Sequence, residues 1–418
     1  MRRRSTGIAA IILLTVFGIG CGQTFRPIAT PVPQPGGDPN VLQHAIVVSQ
    51  NGLSQGSATS VDTTGDTNVG NAIAGVGPVH AGFVSSLRTY IANQVDNTVS
   101  RFLTFTPSAG SVTIPMPAGC NPSFVMSRNT GTAYVACPGS NQVAVMNVAL
   151  DSIITAVTVG ASPQRLNETF NANKVYSLNS GDGTLSVIAA VDNVVTKTIT
   201  VGGSPTWSEM NQDGSLLFVA NASGYVSVID TVTDALALPP LSPVSTITVG
   251  TNPTFVTFDT NRRRLYVVNN GSNNISVIDT IATSPTFMTV IATIPVGTNP
   301  TSITALRNGA KAYVSNCGSN TVSVIDATSL AVVKTINTGT CPIWLTSPTD
   351  SSRVIVGVQG AGTGTNFADP PQILSISTQS DAILVTLKPP QQVATCAPAT
   401  APNNYCALQQ PVFVTMAP

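Results

Sequence analysis

Charged residues are scarce in this sequence. Only 9% of the 418 residues are Asp, Glu, Lys or Arg, and 18 acidic residues balance 18 basic ones, so the formal net charge is zero. Proteins that bind nucleic acids usually present clustered Lys and Arg side chains to the phosphates. A neutral chain without an extended basic block therefore predicts no nucleic-acid partner.

Groups that bind metals or carry catalysis are scarce as well. The chain has only two histidines, His44 and His80. It has no Cys-x-x-Cys pair, no nucleophile elbow and no phosphate-binding loop. The sequence therefore predicts no metal, no cofactor and no assignable catalytic residue.

Aromatic residues make up only 5% of the chain, while β-branched residues are frequent. Short apolar runs alternate with turn residues, and 34 glycines and 30 prolines mark the breaks between them. Runs of this kind are typical of β-strands separated by tight turns. The composition predicts an all-β fold.

One unit, residues 312–342, is repeated along most of the chain. It contains three short predicted strands, 313–316, 321–326 and 332–336, joined by turn residues. Each copy ends in Gly-x-x-Pro, and successive junction prolines are 41 to 48 residues apart. That period, with four short strands per unit, indicates the blades of a β-propeller. The seven junction prolines are Pro78, Pro122, Pro163, Pro205, Pro253, Pro300 and Pro342.

Three elements of the unit resemble the YVTN-type β-propeller repeat of bacterial envelope proteins. They are Tyr-Val-x-Asn at 266–269 and 313–316, Ser-Asn-Thr-Val-Ser-Val-Ile-Asp at 319–326, and Val-Gly-x-Asn-Pro at 249–253 and 296–300. The resemblance extends from about residue 45 to the C-terminus and is weakest at 343–387, where a Gly-rich insertion at 360–369 lengthens a loop. It implies that each junction proline begins the innermost strand of its blade, strand A, and that B, C and D follow outwards.

The two ends of the chain complement each other. Residues 45–49, 57–62 and 71–75 resemble strands B, C and D of a blade that has no preceding strand A. Residues 411–416 match the strand A at 253–258. A last strand that completes the first blade would close the ring and remove its open sheet edges. This predicts eight blades, with seven as the alternative if the N-terminal strands pair elsewhere.

The N-terminus has the features of an export signal. Three arginines at positions 2–4 precede an apolar stretch at 8–19 that is short for a transmembrane helix. Cys21 follows Gly20 and resembles the lipidated cysteine of bacterial lipoproteins. The alternative is an ordinary signal peptide with an incidental cysteine.

These features divide the chain into three predicted segments. Residues 1–20 are a signal peptide, residues 21–43 are the lipidated cysteine with a Pro-rich tether, and residues 44–418 are the propeller domain. A Pro-rich segment is extended and would hold the propeller away from the lipid surface. The predicted location is the bacterial cell envelope, anchored to the outer membrane.

Six further cysteines, an even number in an exported chain, favour disulfide bonds. In the repeat register, D–A junctions and B–C loops lie on the same face of the propeller, which brings sequence neighbours together. The predicted pairs are Cys120–Cys137, Cys317–Cys341 and Cys396–Cys406.

The second residue after each junction proline departs from the family repeat, where it is commonly glycine. These residues are predicted to surround the mouth of the central channel, because strand A lies closest to the axis. They either fill a wide centre or line an aromatic pocket, in which Arg165, Glu168 and Glu209 supply the polar groups. The eight positions, with the C-terminal strand included, are His80, Phe124, Arg165, Trp207, Phe255, Ser302, Trp344 and Phe413.

Two functions of different classes are compatible with these features. The first is a lipid-anchored, monomeric envelope propeller that binds a protein or glycan partner without catalysis. The second is an enzyme, because some propellers similar to this one hydrolyse lactones or carry redox cofactors at the channel. His80, Glu168 and Glu209 are a small set for a metal-assisted hydrolase. The binding function is therefore preferred, although the fold alone does not decide between them.

Overall fold

A computed structural model describes residues 43–50, 55–84, 88–127, 131–239, 241–363, 366–390 and 409–417. Within these residues the chain forms 35 β-strands and one 3-10 helix, Pro107–Ala109, with no α-helix. The described residues contain no helix with the length and apolarity needed to cross a membrane. The predicted signal peptide, Cys21 and the tether as far as residue 42 lie outside the described residues, so that division of the chain stays a prediction.

Eight antiparallel sheets, each with a path of four strands, form the blades of a propeller. The first four blades contain, in chain order, β1 (His44–Gln50), β2 (Gln55–Asp62) and β3 (Thr67–Val76); β4 (Pro78–Val84), β5 (Arg88–Asn93), β6 (Thr98–Leu103) and β7 (Ser111–Pro115); β8 (Phe124–Met126), β9 (Thr132–Cys137), β10 (Gln142–Asn147) and β11 (Ser152–Thr158); and β12 (Pro163–Glu168), β13 (Lys174–Asn179), β14 (Thr184–Ala189) and β15 (Val194–Thr200).

Blades 5 to 8 follow the same order of strands. They contain β16 (Pro205–Met210), β17 (Leu216–Asn221), β18 (Tyr225–Asp230), β19 (Ala235–Leu236) and β20 (Thr246–Thr248); β21 (Pro253–Asp259), β22 (Arg264–Asn269), β23 (Asn274–Asp279) and β24 (Val290–Pro295); β25 (Pro300–Ala305), β26 (Lys311–Asn316), β27 (Thr321–Asp326) and β28 (Ala331–Asn337); and β29 (Pro342–Thr346), β30 (Arg353–Val358), β33 (Gln372–Ser377) and β34 (Ala382–Leu387). The Gly-rich insertion of blade 8 forms a separate hairpin of β31 (Ala361–Thr363) and β32 (Asn366–Asp369).

The last strand, β35 (Gln410–Met416), completes blade 1. It pairs antiparallel with β1, and the register aligns Val414 with Val47 and Phe413 with Val48. The prediction of eight blades, closed by a C-terminal strand A, is therefore confirmed. Closure without a covalent link leaves β1 dependent on a segment more than 350 residues away in sequence.

The recurring Asn of Tyr-Val-x-Asn has a structural reason. In four blades its Nδ2 donates to a serine Oγ on strand C at 2.9–3.0 Å. In two of these blades the same serine accepts the backbone N–H of the junction glycine. The glycine is required by this close approach, since a Cβ on Gly160 would lie 2.5 Å from Nδ2 of Asn179. The four donor–acceptor pairs are Asn93–Ser100, Asn179–Ser186, Asn269–Ser276 and Asn316–Ser323.

The described hydrophobic core is divided among eight clusters, and each cluster joins two neighbouring blades. Each strand alternates its side chains between the two faces of its sheet, and both faces are covered by other blades. The central residues of strands B and C are therefore buried in nearly every blade. The largest fully buried side chains include the tyrosines of Tyr-Val-x-Asn and its variants, such as Tyr176 and Tyr313.

A repeated polar contact also joins neighbouring blades. The tyrosine hydroxyl of one blade donates to an aspartate in the C–D turn of the next blade, and this aspartate has a positive φ. The same carboxylate also pairs with a cation at 2.7 Å. In blades 4 and 7 this cation is the lysine that begins strand B, and in blade 2 it is Arg101 on strand C. In blade 8 the contact crosses the ring closure, where Nε of Arg353 lies 3.1 Å from Asp66 of blade 1. The three tyrosine pairs are Tyr90–Asp151, Tyr176–Asp234 and Tyr313–Asp381.

Two of the three predicted disulfides are present. Cys120 and Cys137 have Cα atoms 4.2 Å apart, and Cys317 and Cys341 have Cα atoms 3.8 Å apart. Each bond ties a D–A junction to the end of strand B or to the B–C loop of a blade, as the repeat register predicts. The third pair, Cys396–Cys406, lies outside the described residues.

Candidate functional site

A local irregularity turns the second residue after the junction proline towards the channel. In seven of the eight described inner strands, the pairing of strand A with strand B skips one residue between the proline and this position. An extra residue of this kind bends the strand and redirects the side chains that follow. The shift therefore places one side chain per blade in a layer around the axis.

Six of these side chains form a continuous aromatic layer. Trp207 and Trp344 come from blades 5 and 8, and their ring centroids are 5.3 Å apart, so the layer spans the channel. Ser302, the small residue between them, is buried and shares a hydrogen bond with Ser315 of its own blade. The other centroid distances are His80–Phe124 3.8 Å, His80–Phe413 4.3 Å, Trp207–Phe255 4.6 Å, Trp344–Phe413 4.9 Å and Phe255–Trp344 5.3 Å.

Arg165 adds a cation to the layer. Its guanidinium carbon lies 3.3 Å from the ring centroid of Trp207 and 4.8 Å from that of Phe124. Its Nε donates to the carbonyl oxygen of Ser208 at 3.0 Å, and its Nη2 lies 3.6 Å from the carboxylate of Glu209. Burial lowers the pKa of Arg165 to about 9, against the opposing effect of Glu209. The side chain thus stays charged at neutral pH and is stabilised by aromatic faces.

His80 is the second titratable group of the layer. Its Nδ1 accepts the backbone N–H of Val125 at 3.3 Å, which leaves the proton of the neutral ring on Nε2. Burial, and secondarily the charge of Arg165, lower the pKa of His80 well below its usual 6.5. The imidazole is therefore neutral at physiological pH and acts as an aromatic face.

A cavity of about 770 Å³ lies against this layer. All of its lining residues are at or after the second position of strand A, so the aromatic layer forms its floor. The cavity extends from that floor along the second half of the inner strands. The residues predicted at the channel mouth therefore lie at the base of a cavity. Those that line it are His80, Phe124, Arg165, Trp207, Glu209, Phe255, Trp344 and Phe413.

Glu168 was predicted to join this site, but it does not line the cavity. Its side chain is fully buried and is absent from the cavity lining. Side chains alternate along β12, so Arg165 and Asn167 face the channel while Leu166 and Glu168 face the neighbouring blade. The charge of Glu168 acts there on Tyr134, whose pKa burial and this carboxylate raise to about 12.

The sequence-based prediction missed a second layer of residues. Four threonines line the cavity two positions beyond the aromatic layer. The signal was present, because the match between residues 253–258 and 411–416 includes a threonine at this position in both strands. The four are Thr257, Thr304, Thr346 and Thr415. In the part of the chain that the structure describes, no three His, Cys, Asp or Glu side chains are grouped to hold a metal ion.

Comparisons with known proteins support the propeller architecture. A family model described as "Lactonase, 7-bladed beta-propeller" matches residues 238–341, which run from the end of blade 5 through blade 7. This match covers less than half of the chain and does not contradict the eight blades counted in the structure. No curated protein sequence is significantly similar to the chain.

Solved structures resemble the chain in fold. The dihydro-heme d1 dehydrogenase NirN matches 85% of this chain and 74% of its own, at 13% identity and a TM-score of 0.68. A putative 6-phosphogluconolactonase from Bacteroides fragilis matches 91% and 99%, at 13% identity and a TM-score of 0.57. Hydrazine synthase of Kuenenia stuttgartiensis matches 72% and 96%, at 17% identity and a TM-score of 0.54. At such identities the likeness concerns the fold alone, and the chain is a β-propeller similar to the lactonase type.

Proposed function

We propose that this chain is a binding protein that holds a ligand in the central cavity of its propeller, without catalysing a reaction. The observation that carries the proposal is the aromatic floor, in which a buried guanidinium stacks on Trp207. Ligand sites are commonly concave and mostly apolar, with a few placed polar groups, and about 300–1,000 Å³ in volume. The cavity of about 770 Å³ fits this description.

Tryptophan fluorescence tests this proposal directly. The chain has two tryptophans, Trp207 and Trp344, and both line the cavity. A ligand that binds there should change the emission, and screening should cover sugars, peptides and aromatic acids. Trp207→Ala should weaken binding at least ten-fold. Phe170→Ala, which alters an aromatic residue that is 50% exposed, serves as the matched control and should bind normally.

Two results would count against the binding function. One is a screen in which no compound changes the emission of the folded protein. The other is a compound that binds equally well to the wild type and to Trp207→Ala, because such a compound occupies a different place. If Trp207→Ala does not fold, Trp207 is needed for the structure itself. Binding would then be measured with Trp207→Phe instead.

We also propose that the protein is exported and held at the cell envelope by lipid on Cys21. This proposal rests on the sequence, namely the arginines at positions 2–4, the apolar stretch at 8–19 and the position of Cys21 after Gly20. More than one acyl chain gives stable membrane attachment. Cys21→Ser should release the protein from the membrane fraction, and retention of the variant there would contradict the anchor.

A lactonase-type hydrolase is the second candidate. It is supported by the family-model match to residues 238–341 and by the fold likeness to a putative 6-phosphogluconolactonase. Glu209 is the acid–base candidate at the cavity, and Arg165 could stabilise an oxyanion. A panel of lactones would be assayed with the wild type and with Glu209→Gln. Turnover that Glu209→Gln abolishes supports the enzyme, and absence of turnover leaves the binding function.

A further inference from the structure

One part of the cavity wall carries a row of hydroxyl groups. Thr257, Thr304, Thr346 and Thr415 occupy the same register on four consecutive blades, from blade 6 through blade 8 to blade 1. Each is half-buried. The equivalent positions of blades 2 and 3 are Gly82 and Met126, which offer no side-chain hydrogen-bonding group, and those of blades 4 and 5 are Asn167 and Glu209. The wall therefore presents an arc of four threonine hydroxyls, called the threonine arc, on adjacent blades.

The lining carries no net charge at neutral pH. Among the described residues of the lining, Arg165 and Glu209 are the only charged side chains, and their N and O atoms are 3.6 Å apart. His80 is neutral because burial keeps its pKa low. A charged ligand would lose its hydration on entering the site and would find no countercharge there that is not already paired. Such a transfer is unfavourable. The lining thus favours a neutral ligand.

From these two observations we infer that the ligand is a neutral saccharide, which stacks on the tryptophans of the floor and hydrogen-bonds to the threonine arc. This inference rests on the proposed binding function. A sugar ring has an apolar face and a rim of hydroxyls, and the cavity has an aromatic floor and a hydroxyl-bearing wall. Hydroxyls both donate and accept, so a threonine arc satisfies a sugar without any charged group.

The test measures binding of glucose, N-acetylglucosamine and their disaccharides by calorimetry and tryptophan emission. Glucuronate and glucosamine are the charged counterparts. Neutral sugars should bind with dependence on Trp207, and the charged analogues should bind at least ten-fold more weakly. Thr304→Val and Thr346→Val remove one hydroxyl each and should raise Kd about five-fold, the effect of one hydrogen bond. Thr335→Val, on the exposed outer strand of the same blade as Thr304, should leave Kd unchanged.

The outcomes separate this inference from the proposed function. Charged analogues that bind more tightly than neutral sugars would overturn it, as would sugar binding that neither threonine variant alters. Absence of any sugar effect on the emission would also overturn it. The broader binding function would survive each of these results, provided that a peptide or an aromatic acid binds with dependence on Trp207. Melting curves recorded by circular dichroism would establish that each variant is folded.

Discussion

Strands B and C repeat from blade to blade, whereas strand A varies. The Asn-to-Ser hydrogen bond between B and C has nearly the same length in four blades, 2.9–3.0 Å. The second position of strand A holds His, Phe, Arg, Trp or Ser. Residues of B and C have partners within their blade or its neighbour, so a change there leaves a buried polar group without its partner. Strand A faces a shared cavity, where one blade can change without disturbing the repeat.

The tyrosine–aspartate contact between blades shows how strictly residue types are determined outside strand A. It forms where the C–D turn supplies Asp151, Asp234 or Asp381. In blade 4 the equivalent residue is Asn193, and its Oδ1 has no hydrogen-bond partner among the described residues. The contact thus depends on one residue type at a turn with positive φ, a conformation that Asp and Asn tolerate better than most residues.

The largest effect should come from breaking strand A where it closes the ring. Deletion of residues 411–418 removes the buried side chains Phe413 and Val414 and leaves β1 without its partner. The lost apolar burial and ladder should reduce the free energy of unfolding by about 5 kcal/mol or more. Thermal unfolding followed by circular dichroism measures this loss.

A rearranged chain is the control for that deletion. The end of β35 lies beside the start of β1, since Met416 pairs with Ala45. Residues 409–417 placed before residue 43 through a short turn would form the same blade as a continuous hairpin. This chain should regain the stability of the wild type. A truncated protein that melts at the wild-type temperature would refute closure by β35.

An intermediate effect should come from the contact between blades 7 and 8. Tyr313→Phe removes a hydroxyl that donates to Asp381, a carboxylate that also pairs with Lys311 at 2.7 Å. A hydrogen bond to a charged, partly buried group stabilises by about 2 kcal/mol. Tyr266→Phe is the matched control, because the hydroxyl of this equivalent tyrosine has no hydrogen-bond partner among the described residues, and the loss should be under about 0.5 kcal/mol. Equal losses in urea unfolding would show that the aspartate contact contributes nothing.

The repeat allowed most of the fold to be predicted, and the reason is physical. The junction glycine recurs seven times and the Asn and Ser pair forms in four blades, so blade number, ring closure and two disulfides could be counted along the chain. The cavity was harder, because one irregularity after the junction proline decides which side chains face the axis. Side chains alternate between the two faces of a strand. Counting from Arg165 in steps of two residues would therefore have placed Glu168 between blades and the threonine positions in the channel. The tyrosine–aspartate pairs join residues about 60 positions apart, beyond any local pattern.

The remaining effect, which is small near neutral pH, concerns the two histidines, one in each region. His80 lies on the inner strand β4 and His44 on β1, which is the strand B of blade 1. Burial lowers the pKa of both, and it does so more strongly for His80. When the pH falls below about 6.5, His80 becomes protonated in the unfolded chain but stays neutral in the folded protein. Protonation therefore stabilises the unfolded state relative to the folded one.

Stability should therefore decline between pH 7 and pH 5, with a slope of up to about 1.4 kcal/mol per pH unit for each histidine that stays neutral when folded. His80→Asn keeps an acceptor near the N–H of Val125 and removes the titrating group, so its pH dependence should be flatter than that of the wild type. His44→Asn should flatten the profile less, because His44 is less strongly shifted and the charge of Asp62 opposes its shift. Urea unfolding at half-unit pH steps compares the three proteins. A flatter profile for His44→Asn than for His80→Asn would mean that His80 is the less strongly shifted of the two histidines, which would contradict its burial in the aromatic floor.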